Sequence, residues 1–178
     1  MPVTLTKVHK QISKKRTSTN VLHENSRDAH RLRKAGARDD RLSRHNATVN
    51  RARQPYLDRI DYIHEAIQEL TEALSTEEIS EFVTKYIDRD TEEIKQLESE
   101  RRKGRPPSKR EEALKQRVQT EAREFETGLW MPDIGDQYAM TAMKNWNGHW
   151  SGLSAIKFMR FTKDGNKLAS TFPPKSMS

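Results

Sequence analysis

The feature that most constrains how this chain can fold is the separation of its charges from its apolar residues. Residues 1–54 carry fourteen Lys or Arg against four Asp or Glu, a net of +10. Residues 55–126 carry thirteen against nineteen, a net of −6, and residues 127–178 carry six against three, a net of +3, within an overall +7. Regularly spaced apolar side chains are confined to the acidic middle, so the core is expected there. Only a stretch that buries apolar area offsets the entropy lost on folding, and the cationic segment should order mainly on a partner. Segregated positive charge points to a polyanion as that partner, most often nucleic acid, because evenly spread charge is enough for solubility.

The remaining composition narrows the function classes. A chain of 178 residues with mean hydropathy −1.02 has room for one ordinary domain and extensions. Cysteine is absent, which excludes a disulfide framework, Cys-ligated zinc and thiol catalysis, and favours an intracellular setting. No run of about 18 apolar residues occurs, and the N-terminus lacks the apolar stretch of a secretory signal, so neither membrane insertion nor export is expected. Lys14, Lys15 and Arg16 fit a nuclear localisation patch. Phosphate-binding glycine loops, a nucleophile elbow and a zincin helix motif are all missing. The six histidines are dispersed, with no pair four residues apart as on a zinc-binding helix face. Adjacent acids such as Glu92 and Glu93, or Glu111 and Glu112, read as solvated helix positions. A non-enzyme without metal, cofactor or small-molecule substrate is the expectation.

Residues 1–25 read as a basic extended tail, and residues 26–54 as a basic helical arm. Asn25 and Ser26 offer N-caps, and Asp28 falls in the first turn, where the helix dipole favours an acid. A helix over 26–53 would be roughly 40 Å long. On a helical wheel with Arg33 at zero, Arg44 and Arg51 fall within about 20°, while Arg27, Arg31, Lys34, Arg38, Arg41 and His45 lie between roughly 80° and 160°. Arg53 is counted with these cations as a candidate RNA contact. Asp28, Asp39 and Asp40 take the opposite side at about 220° to 340°. Leu32 and Leu42 make no continuous apolar stripe, so this helix is expected to lack a core of its own and to present a cationic face to phosphates. Gly36, costing about 1 kcal/mol against Ala, allows a kink there. A solvated basic segment that only keeps the protein soluble is the plainer reading, and the segregation of sign argues against it.

Residues 55–128 read as an acidic helical bundle. Pro55 suits the first turn of a helix whose Tyr56, Ile60, Ile63, Ile67, Leu70 and Leu74 form one apolar stripe. His64 on this helix reads as a partly buried, hydrogen-bonded histidine. Ser75 and Glu78 form a capping-box pattern, followed by Ile79, Phe82, Val83, Tyr86, Ile87, Ile94 and Leu97 in a helix reaching about residue 102. After the breaker Gly104, Pro106 and Pro107, Ser108 with Glu111 repeats the pattern. Ala113, Leu114, Val118, Ala122 and Phe125 then line a further helix closed by Gly128. The fold class expected is all-α, a small three-helix core of a helical hairpin plus a third helix.

Residues 129–178 read as an irregular, aromatic-containing C-terminal extension without clear period. Large aromatics on an aperiodic segment usually dock onto something. Trp130 is expected on the bundle's own surface, and Trp146 and Trp150 are candidates for docking a protein partner. Arg101, Arg102, Lys103 and Arg105, with Lys109 and Arg110, place six cations within ten residues at a helix-helix turn. They read as a second phosphate clamp. Complementing a helix C-terminus explains only two of them.

The order of several short elements carries a family resemblance. His23 with Ser26 and Arg27, the basic helix, Tyr86-Ile87-Asp88-Arg89, Arg102-Lys103-Gly104-Arg105, residues 121–128, and Met131-Pro132-Asp133-Ile134 together resemble the translation machinery-associated protein 16 family over roughly residues 20–135. Each element alone is weak, and their order and spacing are specific. The resemblance implies a eukaryotic, nuclear and nucleolar, helical and non-enzymatic factor on precursors of the large ribosomal subunit. It implies large-subunit rRNA, ribosomal proteins and other pre-60S assembly factors as partners. Its H-x-x-S-R element maps to His23, Ser26 and Arg27, and its R-x-G-R turn to Arg102, Gly104 and Arg105. Pro132 and Asp133 read as structural.

The sequence reading is therefore a ribosome biogenesis factor whose arm grips rRNA phosphates while its body and tail meet ribosomal proteins, with no homo-oligomer expected. Two alternatives stand beside it. One is an adaptor whose acidic bundle binds basic proteins, and the other is a general chromatin or DNA binder, which counterion release alone does not separate from an RNA binder.

Overall fold

A computed structural model describes residues 4–15, 22–102 and 104–174. The chain divides into two compact units, Met1–Pro55 and Tyr56–Ser178. Among the described residues there are six α-helices, one 3-10 helix and one three-stranded antiparallel sheet. The expected all-α class is thus corrected to a mostly helical fold with a small sheet.

In the first unit, α1 (Leu5–Ser13) lies where an extended tail was expected. Val8 and Ile12, one turn apart, are buried against Ala35, with Leu22 and Leu32 packed around them. Asp39 accepts a hydrogen bond from the backbone N–H of Leu5 at 2.9 Å, satisfying one of the free donors at the start of α1. The arm therefore has a small core, contrary to expectation. Leu5, Val8 and Ile12 recur at spacings of three and four along α1, a short helical period that the reading of residues 1–25 as an extended tail passed over.

Helix α2 (Arg27–Ile67) runs unbroken through Gly36 and includes Pro55 in its interior, where a new helix was expected to start. Proline there removes one helical hydrogen bond. The preceding Arg51-Ala52-Arg53-Gln54 are good helix formers with no capping residue directly before the proline. Helical propensity on both sides outweighs the lost bond. A Cβ on Gly36 would meet nothing within 4 Å, so that glycine answers no packing demand.

In the second unit, the stripe of α2 buries Ile60, Ile63 and Ile67 against Ile79, Val83, Tyr86 and Ile87 of α3 (Thr76–Asp88). Ser75 and Glu78 form the expected reciprocal box: the Ser75 N–H donates to Glu78 at 2.7 Å, and the Glu78 N–H donates to the Ser75 hydroxyl oxygen at 3.3 Å. The single helix expected to reach residue 102 is two, because α4 (Thr91–Glu100) starts afresh after a turn at Arg89 and Asp90. That turn points both side chains toward α5 (Lys109–Thr127), where Arg89 meets Glu121 and Asp90 meets Arg117. Ser108 caps α5 by accepting from the Glu111 N–H at 3.1 Å. The Glu111 carboxylate goes instead to Arg101 and Lys115, so this second box is only half formed.

The segment after Gly128 is the largest correction, because it completes the core. Gly128 has φ +122, a conformation open to glycine, and a Cβ there would approach the Arg160 Cβ to 3.2 Å. β1 (Leu129–Pro132) follows, then α6 (Gln137–Lys144), the 3-10 helix Trp150–Ala155, β2 (Phe158–Phe161) and β3 (Lys167–Ser170). The sheet order is β1-β2-β3, with Trp130 opposite Arg160 and Arg160 opposite Leu168. Trp130 stacks on Phe158 at 4.3 Å between centroids, and Phe125 on Phe161 at 6.3 Å. β1 is buried along its whole length, so it shows none of the alternation that marks a half-exposed strand.

Candidate nucleic-acid interface

The cations of α2 are presented by the packing of α1. Leu32, Ala35 and Asp39, the positions α1 uses, fall at about 260°, 200° and 240° on the wheel. The basic arc from 0° to about 140° is left open, and Arg31, at its edge near 160°, reaches Gln11 of α1. Arg27, Arg31, Arg33, Lys34, Arg41, Arg44 and Arg51 are exposed, while Arg38 and Arg53 are half-buried. Several are tethered locally. Arg31 donates to the Gln11 side chain at 2.8 Å, Arg33 donates to the Glu24 carbonyl, Arg38 lies 3.5 Å from Asp39, and Arg41 donates to the Ala37 carbonyl at 3.5 Å. Lys34, Arg44 and Arg51 project from the same arc without an ion-pair partner among the described residues. Like charges held this closely on one rigid face raise the local potential and favour a phosphate backbone as counterion.

Other expected contacts resolve into structural roles. His23 accepts from the Asn25 N–H at 3.2 Å, and the Ser26 hydroxyl accepts from the Ala29 N–H at 3.2 Å. The H-x-x-S-R element thus builds the start of α2 and aims Arg27 outward. Lys14 and Lys15 are exposed at the end of α1. Arg16 and Lys103 lie outside the described residues.

The second cationic patch is smaller than six charges. Arg101 pairs with Glu111 at 3.2 Å and Arg110 pairs with Glu93, joining α4 to α5. Lys115, by hydrogen bonding, and then Arg101 hold the Glu111 carboxyl below the usual carboxylate range. Arg102, Arg105 and Lys109 remain exposed.

All three tryptophans, including the partner-docking candidates Trp146 and Trp150, are used internally. Trp130 is 1% exposed and its indole N–H donates to the Thr171 carbonyl at 3.3 Å. Trp146 is buried, with its N–H on the His149 carbonyl at 2.9 Å. Trp150 is half-buried against Phe172, 4.9 Å between centroids. His64 is half-buried, as expected, 2.8 Å from the Gln68 side chain.

Sequence reasoning missed a buried polar network. Arg59 donates twice to Glu124, at 3.0 and 2.7 Å, and once to the Trp130 carbonyl at 2.9 Å. Glu121 accepts from the Tyr86 hydroxyl at 2.8 Å and from Arg89 at 2.7 and 2.9 Å. Burial pushes the Tyr86 phenol up to about 12, although Arg59 works against this. The signal was phase: Arg59 falls between Tyr56 and Ile63, and Glu121 between Leu114 and Phe125, on the apolar stripes themselves. A charge in phase with a core stripe marks a buried ion pair. The Tyr86–Arg89 element and residues 121–128 are therefore structural.

Fold and site together define a class: a small, mostly helical protein whose cations are concentrated on one long helix and whose body is tied by buried Arg–Glu pairs. The chain belongs to the translation machinery-associated protein 16 family, whose sequence model matches residues 18–163. It is 30% identical to translation machinery-associated protein 16 of Saccharomyces cerevisiae over 174 residues, covering 94% of this chain and 97% of that protein. It is 25% identical to the protein of the same name from Mus musculus over 149 residues, covering 81% of this chain and 67% of the mouse protein. Among the described residues no helix is long and apolar enough to cross a membrane.

Proposed function

We infer that this protein associates with the translation machinery as an assembly factor of the large ribosomal subunit. It binds precursor large subunits in the nucleus and nucleolus, grips rRNA phosphates with the basic arc of α2, and meets ribosomal proteins and other assembly factors through its body. The role is binding, without catalysis. The observation that carries this reading is the placement of α1 on the acidic side of α2, which leaves the cationic arc open. The name shared by its relatives, which describes association with translation machinery, supports the choice of partner. Phosphate contacts would supply affinity, and the shape of the body would select the site, because the deep, narrow major groove of paired RNA keeps side chains from its base edges.

Crosslinking in purified large-subunit precursors tests the reading. Protein-RNA crosslinks are expected at α2 between Arg27 and Arg51. Crosslinks confined to ribosomal proteins, with none to rRNA, would overturn it in favour of an adaptor.

A further inference from the structure

Because α2 continues through Pro55, its apolar residues fall along one uninterrupted helix. Ala35, Leu42, Val49, Tyr56 and Ile63 recur at every seventh position. Their line drifts by about 20° per heptad, from about 200° on the wheel at Ala35 to about 120° at Ile63. Helices meet along such a line, because every seventh residue returns to nearly the same side. The ends of the line are used. Ala35 is buried with Val8 and Ile12 of α1, and Ile63 lies in the core of the body with Tyr56 packed against it. The middle is open: Leu42 is 52% exposed and Val49 half-buried, and neither belongs to either core among the described residues. From Leu42 to Tyr56 the line runs about 20 Å.

The charge beside this open stretch has one sign. Lys34, Arg41 and His45, at about 100°, 80° and 120°, flank it on one edge and line a groove together with Ala37, Arg38 and Leu42. Lys34 and Arg41 are exposed and pair with no acid among the described residues. On the other edge Asp39, at about 240°, is already engaged, accepting from the Leu5 N–H at 2.9 Å and lying 3.5 Å from Arg38. We propose that the Leu42–Val49 side of α2 receives an acidic amphipathic helix of a protein partner. That helix lays its apolar stripe on Leu42 and Val49 and sets its carboxylates against Lys34, Arg41 and His45. A protein fits this side better than RNA does, because phosphates give Leu42 and Val49 nothing apolar to bury against. Arg33, Arg44 and Arg51 lie roughly 140–180° away around the helix and stay open to RNA while the partner is bound. The proposal therefore stands beside the RNA reading of α2 and does not rest on it.

The test uses the full chain and two synthetic three-heptad peptides with Leu at heptad positions a and d, one carrying Glu and the other Lys at e and g. Binding is followed by fluorescence anisotropy. The Glu peptide is expected to bind and the Lys peptide to fail. Leu42→Gln combined with Val49→Gln keeps every charge, and should weaken Glu-peptide binding about tenfold while leaving thermal melting and the affinity for a structured rRNA fragment unchanged. Arg44→Gln combined with Arg51→Gln should do the reverse, lowering RNA affinity and sparing the peptide. Equal binding of the two peptides, or equal binding of the Glu peptide to wild type and to the Leu42→Gln, Val49→Gln variant, would overturn the proposal. A parallel loss of RNA affinity in that variant would overturn it too, giving this side of α2 to RNA. So would a wild-type chain that light scattering shows to be dimeric beside a monomeric variant, which would give the side to a second copy. If the wild-type chain binds the Glu peptide but no RNA, the RNA reading of α2 fails and this proposal stands.

Discussion

The guanidinium of Arg59, 4% exposed, donates to the backbone carbonyl of Trp130 at 2.9 Å and so ties the core face of α2 to the first strand of the sheet. The same group forms two bonds to Glu124, which places α2, α5 and β1 around one buried cation. Such a pair adds little net stability over an apolar replacement, but losing one partner is costly.

Arg59→Leu is therefore expected to destabilise the body by about 2–4 kcal/mol, because the Trp130 carbonyl loses its donor and Glu124 its counter-charge. Glu124→Gln keeps an acceptor and a shape, and should cost less. Urea denaturation followed by circular dichroism measures both. Equal stabilities for wild type and Arg59→Leu would show that the cation does not hold these elements together.

Tyr86 gives the body an alkaline limit. Its phenol titrates at about 12 in the folded chain, above the ordinary value near 10. Below pH 10 the phenol is neutral in both states and its contribution is complete. Between about pH 10 and 12 the unfolded chain releases a proton that the folded chain retains, so stability falls as pH rises. Tyr86→Phe removes this titration, and its stability should vary less with pH across that window. The check is urea midpoints between about pH 9 and 12, where parallel curves for the two proteins would contradict the account.

The N-terminal unit has its own small core. Ile12→Ala should cost that unit about 2–4 kcal/mol, the usual range for emptying a buried aliphatic site. Amide hydrogen exchange should show α1 losing protection while the amides of α3 and α5 keep theirs. Faster exchange throughout the body would mean that the units do not unfold separately.

How much of this was legible in advance depends on whether a residue's fate is set locally. The stripe through Ile60, Ile63 and Ile67 and the box at Ser75 and Glu78 were readable, since each rests on neighbours within a turn or two of helix. The sheet was not. Leu129 and Phe161 are partners across 32 positions, and a strand of four buried residues has no alternation to show. Trp130 and Trp146 likewise read as docking groups in the sequence, whereas Trp130 stacks on Phe158 of β2 and Trp146 packs against His64 of α2, both distant along the chain. At the candidate interface the basic arc was readable from spacing alone, whereas the covering of the opposite side by α1 was not. The Arg101 and Arg110 pairs likewise depend on how α4 lies against α5.

The direct test of the central claim is the salt dependence of RNA binding by the full chain when the open arc is neutralised, with Lys34, Arg41, Arg44 and Arg51 replaced by Gln. None of the four pairs with an acid among the described residues, so melting should be unchanged. Weaker binding to structured rRNA fragments is expected, with a log–log salt slope shallower by roughly 0.7–0.9 for each phosphate that the variant no longer neutralises. An unaltered slope and affinity would contradict the claim that the basic face of α2 grips rRNA.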